Sequence, residues 1–261
     1  MSTSASSLAP VAAGDRTEDP ALKQRRFLAM AYRLLHRFGF DDLTYNHLSA
    51  RVPGRSSHFF VKRDDELFEQ VTSSSLLLSG LHEAEPTNAS GKVSPGALVI
   101  HGAVLEARPE INAVFHTHSP ANMGVGAMRC GLLPLTQHAF IFHDRIAYHD
   151  FEGFEFEPHM RQALVRDLKQ ADIMILRNHG VLVLGRTVPE AYFRHHYLEM
   201  ACRAQVAAMS AGGIDQLVWP DEATCRHAAG QMAARGMVDE TGRDWRALTR
   251  LAEAAFPDYA D

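Results

Sequence analysis

The sequence is poor in cysteine and has no long apolar run, and each shortage removes a class of protein. Its three cysteines, Cys130, Cys202 and Cys225, are odd in number, widely spaced and form no CxxC pair. They make no disulfide framework, and reduced thiols in the cytoplasm are the simplest reading. No hydrophobic stretch approaches the roughly 20 residues that a membrane-spanning helix needs, so no membrane partner is expected. The opening MSTSASSLAPVAAGDRTEDP has no basic segment leading into an apolar core, and it is not read as a secretory signal. Its Ser, Ala, Pro and Asp content reads instead as a disordered tail over residues 1–20. Basic stretches are missing as well. With a net charge of -5 and no run of Lys or Arg, nucleic acid is not an expected partner. There is no GxSxG and no P-loop. Gly124-Val125-Gly126 lacks the third glycine of a dinucleotide fingerprint and does not lead a strand into a helix.

What remains is an ordinary globular composition, 46% hydrophobic and 22% charged over 261 residues. A chain of this length buries most of its apolar surface without a staple. Residues 21–261 read as a single domain. Phe27, Met30, Ala31, Leu34, Leu35 and Phe38 fall at helical spacing, with Gly39 as a stop. Leu48, Ala50 and Val52 alternate with polar residues as a half-buried strand does. Two more strands are expected at His58 to Lys62 and Leu76 to Ser79. Ser94-Pro95 and Ser119-Pro120 are each an N-cap serine followed by proline at the first helical position. Between these two helices lies the apolar strand Ile111 to His118. Ile173 to Leu176 and Val181 to Leu184 are two further strands, joined by the turn Arg177-Asn178-His179-Gly180. Thr187 to Glu190 has capping-box spacing and opens a long helix ending near Ser210. Two weaker helices follow, at Glu222 to Ala234 and Trp245 to Ala255. This alternation predicts an α/β fold with helices covering a mixed, largely antiparallel sheet.

The chain is rich in histidine, with 15. Neutral imidazole is the commonest metal ligand and titrates near neutral pH. His116 and His118 stand two apart at a strand end, so both rings share one face. His179 sits in a turn between two buried strands, and Gly180 beside it permits close backbone approach. The pair also fits two satisfied strand-end histidines, and His179 also fits a turn residue bonded to its own backbone. If the three converge, they suit one divalent ion, Zn, Fe, Mn or Co, with positions left open for a small-molecule substrate.

The stretches Ser94 to His118, SPGALVIHGAVLEARPEINAVFHTH, and Leu176 to Ala191, LRNHGVLVLGRTVPEA, resemble the class II aldolase/adducin family. Asn46 to Arg51, NHLSAR, resembles the first loop of that family, and the likeness spans most of residues 22–215. It implies a three-layer α/β/α sandwich, a metal on His116, His118 and His179, and a homotetramer with active sites between subunits. In the aldolase branch, the metal supports retro-aldol cleavage.

The sequence departs from that branch at several points. The sugar-phosphate aldolases carry a glutamate 19 residues before the first metal histidine, and that position here is Ala97. Alanine neither ligates nor carries a proton. The Gly-Asn pair of the first loop is Asn46-His47, the serine pair is Pro95-Gly96, and the middle loop survives loosely as Thr72 to Ser75. A phosphorylated substrate is therefore not expected. Two histidines are candidates for the missing acid/base. His101 lies one turn after Ala97, and His138 follows the Pro134 turn near where the family places a residue from the neighbouring subunit. His138 is the catalytic candidate, while His101 also fits a histidine packed against the sheet. His195 and Glu199 share a helix face but read as a subunit-contacting or solvated surface. Three functions follow from this reading: an aldolase-type lyase acting on a small hydroxy- or oxo-carbonyl compound, a non-haem iron oxygenase or decarboxylase, or a non-catalytic adducin-like binding protein.

Overall fold

The computed structural model describes residues 18–82, 91–234 and 239–261. Most of the expected tail lies outside these residues. Pro20, its last position, already belongs to helix α1 (Pro20–Arg37). Asp19 caps that helix by accepting from the Ala21 N–H at 3.0 Å, which satisfies one of the free donors of its first turn.

Seven strands form one sheet: β1 (His47–Val52), β2 (Arg55–Val61), β3 (Leu77–Gly80), β4 (Ala113–Thr117), β5 (Ile146–His149), β6 (Ile173–Leu176) and β7 (Gly180–Gly185). Their order across the sheet is β3-β2-β1-β4-β7-β6-β5. Every neighbouring pair is antiparallel except β5 and β6, which are parallel. The mixed, largely antiparallel sheet expected from the sequence is therefore present.

Helices cover both faces. They are α2 (Pro95–Ala107), α3 (Pro120–Ala127), the short α4 (Gln137–Phe140), α5 (Met160–Leu168), α6 (Val188–Ser210), α7 (Glu222–Ala234) and α8 (Arg243–Ala255). Strand alternation divides the core in two. Phe115, Ile173, Ile175, Val181 and Val183 pack with α1 and α6 on one face. Val114, Met174, Leu182 and Leu184 pack with α2 and α5 on the other. Because side chains i and i+2 share a face, each central strand serves both cores, which gives the three-layer sandwich.

The caps are mostly as the sequence predicts. Thr187 accepts from the Glu190 N–H at 3.2 Å, although the Glu190 carboxylate reaches back to the Arg186 N–H rather than to Thr187 itself. Ser119 accepts from the Asn122 N–H at 3.2 Å. Ser94 occupies the N-cap position of α2, but its side chain makes no cap bond. Strand β5 and helices α4 and α5 have no counterpart among the elements expected from the sequence. β5 is a four-residue edge strand, mostly half-buried, so it lacks the continuous apolar run that marks β6 and β7.

Two fully buried histidines shape the response to pH. Burial pushes both His101 and His195 down to about 3. An unfolded chain binds protons at these rings below about pH 6.5, whereas the folded chain does not until about pH 3. Stability therefore declines as pH falls through this window, by about 1.4 kcal/mol per pH unit for each such ring. Urea midpoints measured from pH 7 to pH 5 should fall with this sign. A His195→Gln variant, with one titrating ring fewer, should show a shallower decline.

Candidate metal centre

The register of the central strands brings the histidines together. His116 lies near the end of β4, opposite His47 on β1 and Leu182 on β7. His118 follows one residue beyond the strand, and His179 precedes β7 in the β6–β7 turn. That turn needs its own sequence. Asn178 adopts φ 58°, a left-handed conformation that Asn tolerates better than most residues. At Gly180 a Cβ would stand 2.4 Å from the Thr117 carbonyl oxygen and 2.8 Å from the His118 ring. Only glycine lets the turn close onto the paired-histidine strand.

The three rings converge. His116 and His118 have ring centroids 4.5 Å apart, and His179 lies 4.8 Å from each. One nitrogen from each ring falls within 4.8 Å of the other two, and the Nε2 atoms of His116 and His118 are 2.8 Å apart.

Each Nδ1 has a partner that only accepts. The Nδ1 of His116 faces the Val181 carbonyl oxygen at 3.1 Å. In His118 it faces the Asp42 carboxylate at 3.2 Å, and in His179 the Glu155 carboxylate at 3.2 Å. A carbonyl or carboxylate oxygen accepts but does not donate, so each Nδ1 carries its ring's hydrogen and each Nε2 is a bare lone pair. Bare nitrogens 2.8 Å apart repel one another unless a cation lies between them. A proton is a poor choice for that cation. Burial first, and the neighbouring rings second, hold His116 well below the ordinary histidine range, and His118 is lowered by the same two causes. A divalent ion fits this donor set, and acceptors behind ligating imidazoles are the usual way of fixing such rings. A potential divalent-metal site therefore exists at His116, His118 and His179. A second grouping, His143, Asp144 and Glu222, is less suited. Its two carboxylates are exposed, and Glu222 already pairs with Arg226.

Three residues that shape the site were not marked for it by the sequence. Asp42 lies in the irregular segment before β1, and Glu155 in the loop between β5 and α5. Glu155 is only 4% exposed, which is unusual for a carboxylate and marks a paired one. His47 is the third. Its ring centroid is 5.0 Å from that of His116, and its Nδ1 is 2.6 Å from the Nε2 of His101. His101, expected as a candidate acid/base or a packed residue, is wholly buried between His47 and Ser49. Ala97 is wholly buried too, with no functional group.

The other candidates lie elsewhere. His138, on α4, stacks on Tyr197 of α6 at 5.1 Å and is not among the clustered rings. His195 and Glu199 are wholly buried, so they form no solvated or subunit-contacting face. They sit behind the opposite side of β4, where the Nε2 of His195 is 2.8 Å from the Thr117 hydroxyl. The Asn122 amide donates to Glu199 at 2.6 Å.

The surroundings of the cluster are apolar and acidic. Phe151, Phe154 and Phe156 are exposed, with Phe151 edge-on to His179 at 6.2 Å. Among the described residues, no hydrogen bond or ion pair joins an arginine or lysine to the three rings. The Thr72–Ser75 loop is committed elsewhere. The N–H groups of Ser73 and Ser74 donate to the backbone oxygens of Tyr259 and Asp261 at 2.9 and 2.7 Å.

Comparison with known proteins agrees with this geometry. Residues 26–206 match the family described as Class II Aldolase and Adducin N-terminal domain. An aldolase II superfamily protein from Pseudomonas syringae superposes with a TM-score of 0.87 at 37% identity, covering 95% of this chain and 98% of that one. L-fuculose 1-phosphate aldolase from Glaciozyma antarctica superposes with a TM-score of 0.79 at 25% identity, covering 97% and 96%. Alpha-adducin of Mus musculus is 38% identical over 200 residues, which are 74% of this chain but only 27% of the adducin.

Two expectations follow. Gly180→Ala should destabilise the protein by about 1–3 kcal/mol or more through the backbone clash. Gly230→Ala, in α7 with nothing within 4 Å of the added carbon, should stabilise it by roughly 0.4–1 kcal/mol. Thermal denaturation of the pair separates the two effects. Elemental analysis should find one bound divalent ion in the parent and none in His116→Ala or His179→Ala. Glu155→Gln and Asp42→Asn should weaken binding by roughly 10- to 100-fold.

Proposed function

The chain belongs to the class II aldolase and adducin family, and from that premise we propose that it is a metal-dependent lyase of aldolase type acting on a small, non-phosphorylated hydroxy- or oxo-carbonyl compound. The observation that carries this reading is the meeting of three bare imidazole nitrogens on His116, His118 and His179. These residues would hold the ion, zinc in our proposal, although Fe, Mn or Co also suits three imidazoles. Once bound, it supplies Lewis-acid polarisation of a carbonyl.

The chain's own residues supply the rest. Asp42, Glu155 and the Val181 carbonyl keep the three rings turned inward. The phenylalanines beside His179 form an apolar wall, and among the described residues no arginine or lysine bonds the three rings. In cleavage, the substrate hydroxyl gives up its proton and its O–H electron pair becomes the new C=O bond. The C–C pair passes to the neighbouring carbon and onto its carbonyl oxygen. That proton needs a carrier, which Ala97 cannot be. We assign it to His138, acting in the site of a neighbouring subunit within a homotetramer. Three free cysteines, with Cys130 exposed, fit a reducing compartment, the cytoplasm. Among the described residues, no helix is long and apolar enough to cross a membrane.

A second reading, a non-catalytic binding module, is favoured by Ala97 and by the likeness to alpha-adducin. One assay separates the two. Protein loaded in turn with Zn, Mn, Co or Fe(II) is offered a panel of β-hydroxy ketones and hydroxy-oxo acids. Cleavage should be abolished by a chelator, restored by one of these ions, and reduced at least 100-fold in His179→Ala. Stoichiometric metal with no C–C cleavage would favour the binding module. Oxygen consumption by the Fe(II) form would instead assign oxidative chemistry.

A further inference from the structure

Beside the three rings runs a second, wholly internal line of polar groups. Ser49 and His47 stand two apart on β1, so both face α2, and His101 reaches down from α2 between them. The Ser49 hydroxyl is 2.5 Å from the Nδ1 of His101, and the Nε2 of His101 is 2.6 Å from the Nδ1 of His47. The last atom of the line, the Nε2 of His47, faces the first turn of α2. It lies 3.5 Å from the point where a Cβ on Gly96 would stand. Gly96 precedes Ala97, where the sugar-phosphate aldolases carry their glutamate.

The hydrogens along this line can be ordered in two ways. In one, Ser49 accepts from the Nδ1–H of His101, and its own hydroxyl hydrogen then has nowhere to go. Ser49 is wholly buried and, among the described residues, has no hydroxyl partner besides His101. A buried hydroxyl left without an acceptor is disfavoured by about tenfold or more. In the other, Ser49 donates to the Nδ1 of His101, and the Nε2–H of His101 donates to the Nδ1 of His47. Every hydrogen inside the line then has an acceptor, and the one left over is the N–H at Nε2 of His47, at the open end of the line facing the first turn of α2 rather than on a wholly buried hydroxyl. Among the described residues no carboxylate bonds either ring, so nothing in the line favours an imidazolium and its polarity is set by tautomer.

We propose that His47 is a further catalytic residue, donating a hydrogen bond from Nε2 to the substrate oxygen that gains negative charge as the C–C bond breaks, with His101 and Ser49 as positioning residues that fix its tautomer. This rests on the lyase reading above. A neutral donor fixed in advance at the developing oxyanion is the arrangement that lowers such a barrier without reorganisation. It places a donor from β1 beside the first turn of α2, at Gly96.

The test uses the zinc-loaded protein. Long-range 15N–1H spectra, with His47 assigned by its loss in His47→Gln, should show the Nε2–H tautomer at both His47 and His101. Ser49→Thr should preserve that pattern, whereas Ser49→Ala should release it toward Nδ1–H. Glycolohydroxamate, a planar enolate analogue, serves as the binding probe. His47→Leu should bind it roughly 10- to 100-fold more weakly at unchanged zinc content, while His47→Gln, which keeps an amide donor, should stay within several-fold of the parent. An Nδ1–H tautomer at His47 in the parent overturns the proposal, and so does hydroxamate binding by His47→Leu within twofold of the parent. A parent that binds zinc but not hydroxamate counts against the lyase reading itself. The parent spectrum then decides the tautomer separately.

Discussion

The site depends on a mutual repulsion that the fold holds in place. Three imidazoles are turned so that their hydrogens point outward to a carbonyl and two carboxylates, and their lone pairs point inward at one another. Left free, the rings would rotate apart or take up a proton. Burial opposes the proton at His116 and His118, and the outward partners oppose the rotation. The remaining way to relieve the repulsion is a cation bound between the rings. The position of every nearby element can be read as serving that arrangement. β4 supplies two rings at the centre of the sheet, the β6–β7 turn supplies the third, and Gly180 lets the turn approach to a distance that any side chain would prevent.

Much of this was legible in the sequence, because the strongest signals were local. Pro95, Pro120 and Pro189 each stand in the first turn of a helix, and proline carries that meaning without tertiary context, whereas Pro20, expected in the tail, opens α1. The runs Ile173 to Leu176 and Val181 to Leu184 are apolar throughout because both of their faces are buried, and they read as strands for that reason. Strand periodicity put His116 and His118 on one face, and the family resemblance joined them to His179 as metal ligands. What escaped was whatever tertiary structure decides. β5 is too short and too exposed to carry a pattern. Glu155 lies in a loop whose acidic and aromatic residues resemble solvated surface, and only its burial against His179 distinguishes it. Asp42 precedes β1 with no motif of its own. The role of His47 depends on a cross-strand register, His47 opposite His116, that a single strand does not encode.

The two faces of β4 divide the work of holding the site. On one side the strand presents His116 to the cluster. On the other, Thr117 meets His195 at 2.8 Å, and Asn122 donates to Glu199 at 2.6 Å and to the Thr117 carbonyl at 3.3 Å. Ser119, the N-cap of α3, also donates to Glu199. Burial pushes the Glu199 carboxyl up, so this carboxyl is held by neutral donors rather than by a buried cation. Such a network contributes little net stability compared with an apolar core of the same volume. What it does is join the end of β4 to α3 and α6, where a shift of about 1 Å would spread the histidines.

That comparison bears on whether the site is in use. Polar groups buried without function tend to be replaceable by apolar residues at little or no cost. Here such groups are concentrated around one point. The partners of three imidazoles lie in front of it, the Ser49–His101–His47 line lies to one side, and the Thr117–His195 and Asn122–Glu199 contacts lie behind. Hydrophobic packing alone would satisfy the sheet, since its two cores are already complete on either side. A binding module that holds a metal would need the first of the three sets, the partners that orient the imidazoles. Together the three sets hold one small volume beside exposed phenylalanines, an arrangement that suits the lyase proposed above.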